Sequence, residues 1–321
     1  MTDARITARV GSQTLSLSNL GKILYPRDGI TKGDTIAYYR QIAPQMLPHL
    51  RGRPLTLQRY PDGIDGFSFF EKHVPKGTPD WVKRVDAASS EGGTVVTYLV
   101  CDDEPTLVYL ANLAALMLHP WTSREHSLGE PDFVFFDLDP GEECTIQTLA
   151  RVALALRQLL RSIGLDALVK SSGGMGLHVV VPLRAGYDYA SVKIFAEVIA
   201  HQLYAITDGE VALERAIKKR SQRAVYFDYV QVGRGKTYVA PYSLRARDGA
   251  PVSTPLDWSE VEAFGRKRAK VFPQDILGAY TMRTIFKRIE ADGDLWSGRA
   301  WRKQRLEPAI AKARTAFVRH E

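Results

Sequence analysis

Phe133-Val134-Phe135-Phe136-Asp137-Leu138-Asp139-Pro140-Gly141 reads as a buried strand that is stopped by a Pro-Gly turn, because a short apolar run ending in such a turn has the length and punctuation of a central strand. Working outward, an amphipathic helix is predicted over about 145–163. Strands follow near 166–171 and 178–182 around a glycine-rich turn, then a helix over about 188–206 and strands near 224–231 and 236–241. Upstream, Thr31 caps a helix over 31–47. Asp34 stands three residues on, as in a capping box, and Ile36, Tyr39, Ile42 and Ala43 keep the helical period. Residues 51–60 and 94–101 alternate like strands, 104–119 read as helix, and the stretch beyond about 260 reads as mostly helical with polar breaks near 291–294. Strands and helices mixed in this order predict an α+β fold of mixed sheets with packed helices. We expect a single domain over 1–321 with two approximate lobes, 1–125 and 126–321, dividing near 122–131.

Side chains alternate along a strand, so Asp137 and Asp139 share a face with Cα atoms roughly 6.5–7 Å apart. Paired carboxylates at an apolar strand end need protons, solvent or a cation, and two divalent ions could be bridged from that face. The plainer reading is an acidic strand end entering a turn. Asp228, inside Tyr226-Phe227-Asp228-Tyr229, either completes an acidic site or pairs with one of Arg215, Lys218, Lys219, Arg220 and Arg223. The run Lys170-Ser171-Ser172-Gly173-Gly174-Met175-Gly176-Leu177-His178 suits a phosphate or ribose, since glycines allow close backbone approach. It is neither a P-loop nor a GxGxxG helix opening, and an ordinary glycine hairpin remains an alternative. Arg234-Gly235-Lys236 precedes Ala240-Pro241-Tyr242-Ser243-Leu244-Arg245-Ala246-Arg247. Alternation would place Arg245 and Arg247 on one face, where with Lys236 they either hold a triphosphate or form a basic strand edge.

Two features lie nearer the N-terminus. Lys32 occupies the first turn of the helix capped by Thr31, where a cation opposes the helix dipole, and a bound phosphate would reverse that penalty. Lys22 lies ten residues earlier. Phe69 and Phe70 are adjacent, so on a strand they face opposite ways and at least one is exposed. Exposed aromatics stack on bases, while buried ones are ordinary core.

The chain has 321 residues and a net charge of +7. From Arg266 to Glu321 there are 14 Lys/Arg against 6 Asp/Glu, so the basic excess sits in the last segment. That placement suits either a polyanion surface or solvated basic helices. With two cysteines, Cys101 and Cys144, there is neither a disulfide framework nor a zinc pattern, and a reducing cytoplasm is expected. No signal peptide is evident, and the apolar stretch Leu107–Leu118, broken by Asn112, is too short to span a membrane.

Taken in order, FVFFDLDPGE (133–142), KSSGGMGLHVVVPL (170–183), VYFDY (225–229) and GKTYVAPYSLRAR (235–247) resemble the polymerase domain of bacterial ligase D, in the archaeo-eukaryotic primase superfamily. The likeness runs from Asn19-Leu20-Gly21-Lys22 nearly to the end. It implies a primase-like catalytic core with Asp137, Asp139 and Asp228 as a catalytic metal triad for two Mn²⁺ or Mg²⁺ ions. It also implies that Ser172 and His178 contact the incoming NTP or dNTP, and that Lys236, Arg245 and Arg247 hold its triphosphate. Lys22 and Lys32, with Asn19, would grip a downstream 5′-phosphate, and Phe69 and Phe70 would stack near the template base of gapped DNA. The family favours ribonucleotides and manganese and fills short gaps at DNA ends, which implies a DNA ligase and a Ku-type end-binding protein as partners.

This chain departs from the family at Val232, where Asn is frequent, and at Met175, where Lys is frequent. It carries no KxDG ligase motif and no room for a ligase or phosphoesterase domain, so a stand-alone relative or an excised domain is expected. Template-dependent nucleotidyl transfer in end joining or excision repair is the first reading. De novo primer synthesis and a non-catalytic DNA-end alignment module are the alternatives. A DxD phosphatase fits poorly, because Pro140-Gly141 follows the acids.

Overall fold

The computed structural model describes residues 5–88, 94–268 and 270–307. The chain divides into two compact units. One comprises 1–128, 237–253 and 280–291; the other comprises 129–236, 254–279 and 292–321. The division after Leu128 lies close to the expected boundary, but two later segments return to the first unit.

In the first unit, β1 (Arg5–Val10) and β2 (Gln13–Ser18) form a hairpin, and β3 (Ile23–Tyr25) pairs with β4 (Ile30–Thr31). Helix α1 (Lys32–Leu50) starts at a complete capping box. The Thr31 hydroxyl accepts from the Asp34 amide, and the Asp34 carboxylate accepts from the Thr31 amide. The third and largest sheet of this unit, of five strands, contains β5 (Pro54–Arg59), β6 (Phe69–Glu71), β7 (Arg84–Ala88) and β8 (Val95–Val100) in the order β6-β5-β8-β7. Asp103 caps α2 (Glu104–Asn112), accepting from the Thr106 amide at 2.9 Å. Ile42, Met46 and Leu50 of α1 are buried in one core with Leu107 and Leu110 of α2 and with Leu55 and Leu57 of β5.

The helix expected over 104–119 is therefore only half a helix. It stops at Asn112, Ala114 takes φ +55°, and β9 (Ala115–Pro120) pairs antiparallel with β5, Leu118 opposite Leu57. An apolar run this short satisfies either geometry, and the free ladder of β5 decides between them.

In the second unit, β10 (Phe133–Pro140) is central. Helix α3 (Ile146–Ser162), β11 (Leu168–Ser171), β12 (Leu177–Pro182), α4 (Tyr189–Ile206), β13 (Val211–Ala212), β14 (Val225–Asp228) and β15 (Pro255–Leu256) follow. They build a six-stranded sheet of order β13-β14-β10-β12-β11-β15, with the β13–β14 pair parallel and the others antiparallel. Helices α3 and α4 pack on one face, where Phe136 meets Phe195 of α4.

Two further expectations change. Residues 236–241 form no regular strand: they follow β9 through the bridge Thr237–Trp121 and the bonds from the Tyr238 amide to the Pro120 carbonyl and from the Ala240 amide to the Leu118 carbonyl. Beyond residue 257 the described chain has only short helices, α5 (Trp258–Gly265), α6 (Pro273–Leu277) and α7 (Ile285–Asp292), with irregular stretches between them. The last 14 residues of the basic segment, 308–321, lie outside the described residues. Among the described residues no helix is long and apolar enough to cross a membrane. Both cysteines are free and buried.

Gly141 ends β10 where the chain passes the residues leading into β14. Its amide donates to the Ala224 carbonyl at 2.9 Å, and a Cβ there would stand 2.3 Å from the Gln222 carbonyl oxygen. Gly141→Ala should therefore force the two segments apart and cost about 1–3 kcal/mol. Gly129→Ala, with open space around it, should stay within about 0.5 kcal/mol. Urea unfolding midpoints check both.

Candidate active site

The register of β10 assembles one row of side chains. Asp137 lies directly opposite His178 of β12 on one side and Asp228 of β14 on the other, and His178 lies opposite Lys170 of β11. Directly opposed residues share a face, so Lys170, His178, Asp137 and Asp228 form a line across four strands. Asp139 lies one pleat further along the same face. Phe136 marks the other face as the helix-covered one, so the row is on the side away from α3 and α4.

Burial grades along the row. Lys170 is fully buried and its Nζ donates to the Ser171 carbonyl at 3.3 Å. His178 is buried, and its Nε2 stands 3.3 Å from Oδ1 of Asp137. Asp137 and Asp228 are half-buried and Asp139 is exposed. Among the described residues no ion pair joins the basic run before β14 to Asp228. Arg223 pairs with Glu143 instead, and the Arg220 guanidinium lies 3.3 Å from the centre of the Tyr226 ring. Asp228 accepts from the Val230 amide at 3.1 Å, capping the turn that follows. Burial, and then the neighbouring Asp228 carboxylate, push the Tyr226 hydroxyl up to about 12.

As the side chains stand, no group of three or more His, Cys, Asp or Glu among the described residues is placed to hold a metal ion. The reason is local, because Asp137 is turned to His178 and Asp228 to its own turn. The donor set is nevertheless an all-oxygen one on a single sheet face, which suits hard divalent cations such as Mg²⁺ or Mn²⁺.

The glycine turn approaches the same strand end. A Cβ on Gly176 would lie 2.6 Å from the Leu138 carbonyl oxygen and 3.1 Å from Oδ1 of Asp139, so only glycine allows this approach. Ser172 organises the turn from inside. It is buried, and its hydroxyl accepts from the Gly174 and Gly176 amides, both at 3.2 Å. Its hydroxyl oxygen is thus already engaged with backbone. Met175 is half-buried at the tip, and Val232 is buried.

The other expected residues are divided between the two units. Lys236 is exposed in the second unit, whereas Arg245 and Arg247 belong to the first. These arginines are not on an alternating strand. The Arg247 amide donates to the Arg245 carbonyl at 2.9 Å, a tight turn in which Arg245 is half-buried and Arg247 exposed.

Near the N-terminus, Asn19 is exposed with φ +54°. Lys22 is exposed and pairs with Asp62 at 2.7 Å. Lys32 is buried, and its Nζ folds back to the Ser18 carbonyl at 2.7 Å. The first amides of α1 are also used, Lys32 by the Lys22 carbonyl, Gly33 by the Leu20 carbonyl and Asp34 by the Thr31 hydroxyl. The donors of this helix start thus have backbone and side-chain acceptors within the chain itself. Phe70 is 61% exposed on β6, while Phe69 lies under the Arg59 guanidinium and stacks with Phe67. Phe67, 70% exposed, stands two residues before Phe69, and that spacing is its signal in the sequence.

A family model described as the primase-polymerase domain of LigD matches residues 31–296. The multifunctional non-homologous end joining protein LigD of Mycobacterium bovis is 36% identical over 293 residues, covering 88% of this chain and 36% of that protein. The bifunctional non-homologous end joining protein LigD of Bacillus subtilis is 31% identical over 281 residues, covering 87% of this chain and 43% of that protein. This chain thus spans well under half the length of these relatives. Among solved structures, the polymerase domain from Mycobacterium tuberculosis ligase D in complex with DNA superposes with a TM-score of 0.78 at 33% identity, covering 88% of this chain and 96% of that one. With the α+β architecture, the acid row and the glycine turn in place, the chain belongs to the LigD primase-polymerase domain family.

Proposed function

We propose that the chain is a template-dependent nucleotidyltransferase that adds nucleotides, ribonucleotides by preference, to a primer 3′-hydroxyl across short gaps at broken DNA ends. The observation that carries the reading is the row Asp137–Asp228 with Asp139 beside it, on the sheet face opposite α3 and α4. The DNA-bound relative and the end-joining relatives support the substrate and the pathway. A DNA ligase that seals the product and a Ku-type protein that holds the ends are the partners this reading calls for.

In the reaction the primer 3′-oxygen bonds to the α-phosphorus of the nucleotide, and pyrophosphate leaves. Asp137, Asp139 and Asp228 would hold divalent cations, manganese or magnesium, which when bound acidify the hydroxyl and stabilise charge on the leaving group. His178 orients the Asp137 carboxylate from the adjacent strand. Ser172 holds the glycine turn against the acid-bearing strand end, so that the turn keeps one shape. Arg245 and Arg247 take triphosphate charge, and Phe70 offers a ring face to a base. For a downstream 5′-phosphate, Lys22 is the reachable cation: it exchanges Asp62 for the phosphate, while Lys32 braces the helix start from inside.

Asp137→Ala, Asp139→Ala and Asp228→Ala should each reduce gap extension below about 1% of wild type while leaving DNA binding within about twofold. Labelled-primer extension with Mn²⁺ or Mg²⁺ and a binding titration measure the two quantities, and retained extension refutes the acid assignment. Arg245→Ala and Arg247→Ala should each weaken apparent nucleotide affinity by about 1.5–3 kcal/mol with DNA affinity kept. An unchanged nucleotide KM in both variants would remove them from the site.

Gapped DNA bearing a 5′-phosphate should bind more tightly than its 5′-hydroxyl form, and Lys22→Ala should erase the difference. Lys32→Ala should instead lower the unfolding midpoint, since it empties a buried position. If Lys22→Ala weakens both DNA forms equally, the lysine is part of a general basic surface.

A further inference from the structure

The turn that carries Arg245 and Arg247 is held from below by three tyrosines. The Tyr25 hydroxyl donates to the Arg245 carbonyl at 3.0 Å, and the Tyr38 hydroxyl donates to the Tyr242 carbonyl at 2.7 Å. The Tyr39 hydroxyl accepts from the Leu244 amide at 3.1 Å and donates to the Leu116 carbonyl at 2.6 Å. All three rings are at most 2% exposed. They come from β3 and from adjacent positions of α1, and all of these contacts lie within the first unit.

The turn needs such support. Tyr242 takes φ +66°, a left-handed conformation that costs a bulky residue energy and persists only where its surroundings enforce it. The facing residues 251–253 supply part of the restraint, through Tyr242 N to Ser253 O at 2.6 Å and Arg245 N to Pro251 O at 2.8 Å. The Arg245 carbonyl is the junction of the arrangement. It receives the Tyr25 hydroxyl and also the Arg247 amide, so the bond from Tyr25 fixes the backbone unit that joins the two arginines. Burial raises all three hydroxyls, Tyr39 to about 12 and Tyr25 and Tyr38 well above the usual tyrosine value, so they remain protonated donors at any working pH.

We infer that Tyr25, Tyr38 and Tyr39 are positioning residues that preset the Arg245–Arg247 turn for a nucleotide triphosphate before the nucleotide arrives. The inference rests on the reading that these arginines take the triphosphate. Forked guanidiniums bind phosphate oxygens in pairs only when their backbone is fixed, and a small displacement loses the geometry. The tyrosines touch no substrate and act through the peptide units of 242–245.

A double-mutant cycle tests this, with NTP KM and kcat from gap extension, DNA affinity, and thermal unfolding measured for Tyr25→Phe, Arg245→Ala and the double variant. Tyr38→Phe is a second, independent removal of one hydroxyl. Tyr25→Phe and Tyr38→Phe should each raise the nucleotide KM about five- to tenfold while kcat and DNA affinity stay within about twofold. In the Arg245→Ala background, Tyr25→Phe should change KM by less than about twofold, because the group it positions is gone. Equal effects of Tyr25→Phe in both backgrounds, or KM, kcat and DNA affinity moving together with a lowered unfolding temperature, mean a general structural role and overturn the inference. If Arg245→Ala itself leaves KM unchanged, the triphosphate role of Arg245 fails and takes the inference with it. If Arg245→Ala raises KM while both phenylalanine variants match wild type, the inference alone fails.

Discussion

The register of β10 is the constraint on which the second unit depends. This strand is bonded on both sides, Leu138 facing Leu177 in one direction and Phe227 in the other. Its even-numbered residues feed the helix-covered face, and its odd-numbered residues carry the acids. A slip of one residue would turn every side chain to the other face. Asp137 and Asp139 would then be driven among the side chains of α3 and α4, a cost no local rearrangement could offset. The glycines enforce the same register from outside. Gly176 and Gly141 admit no side chain at the acidic end of β10, because neighbouring backbone already occupies that space.

Buried polar groups do much of the positioning in both units, and they do it by bonding to backbone. Lys32 donates to Ser18, Tyr38 to Tyr242, Lys170 to Ser171, and Ser172 accepts from two glycine amides. A polar group inside a protein must be satisfied, and one bonded to a carbonyl fixes both the side chain and the loop it reaches. Membership of the LigD primase-polymerase family gives these contacts a context. The residues that hold the substrate-facing groups look like ordinary core composition in the sequence.

Much of the framework was legible. The capping box at Thr31, the strand at 133–139, the helix over 145–163 and the glycine turn all followed from local patterns, because each rests on contacts within a few residues of itself. The face shared by Asp137 and Asp139 also followed, since alternation is a property of any strand. The reading of 104–119 as one helix failed because a short apolar run has no period that separates helix from strand, and only the partner ladder of β5 settles it. The alternation assumed for Arg245 and Arg247 failed for a related reason. The segment pairs with residues 251–253 only up to Arg245, and beyond it the Arg247 amide turns back to the Arg245 carbonyl, so the two arginines are not on one extended strand.

The sequence by itself determined the residue types, the local turns and caps, and the family, because the four motifs keep their order and spacing. It determined that acids, glycines and arginines were available for phosphate chemistry. Tertiary structure alone decided which of them meet. Asp228 stands beside Asp137 although 91 residues separate them, because β14 takes the free edge of β10. Lys32 turned inward because Ser18 stands where its ammonium can be satisfied. Tyr25 reached Arg245 across 220 residues of chain. Local propensity reports only on neighbours in sequence, whereas burial and strand pairing act between neighbours in space, and the arrangement of this site is a property of the second kind.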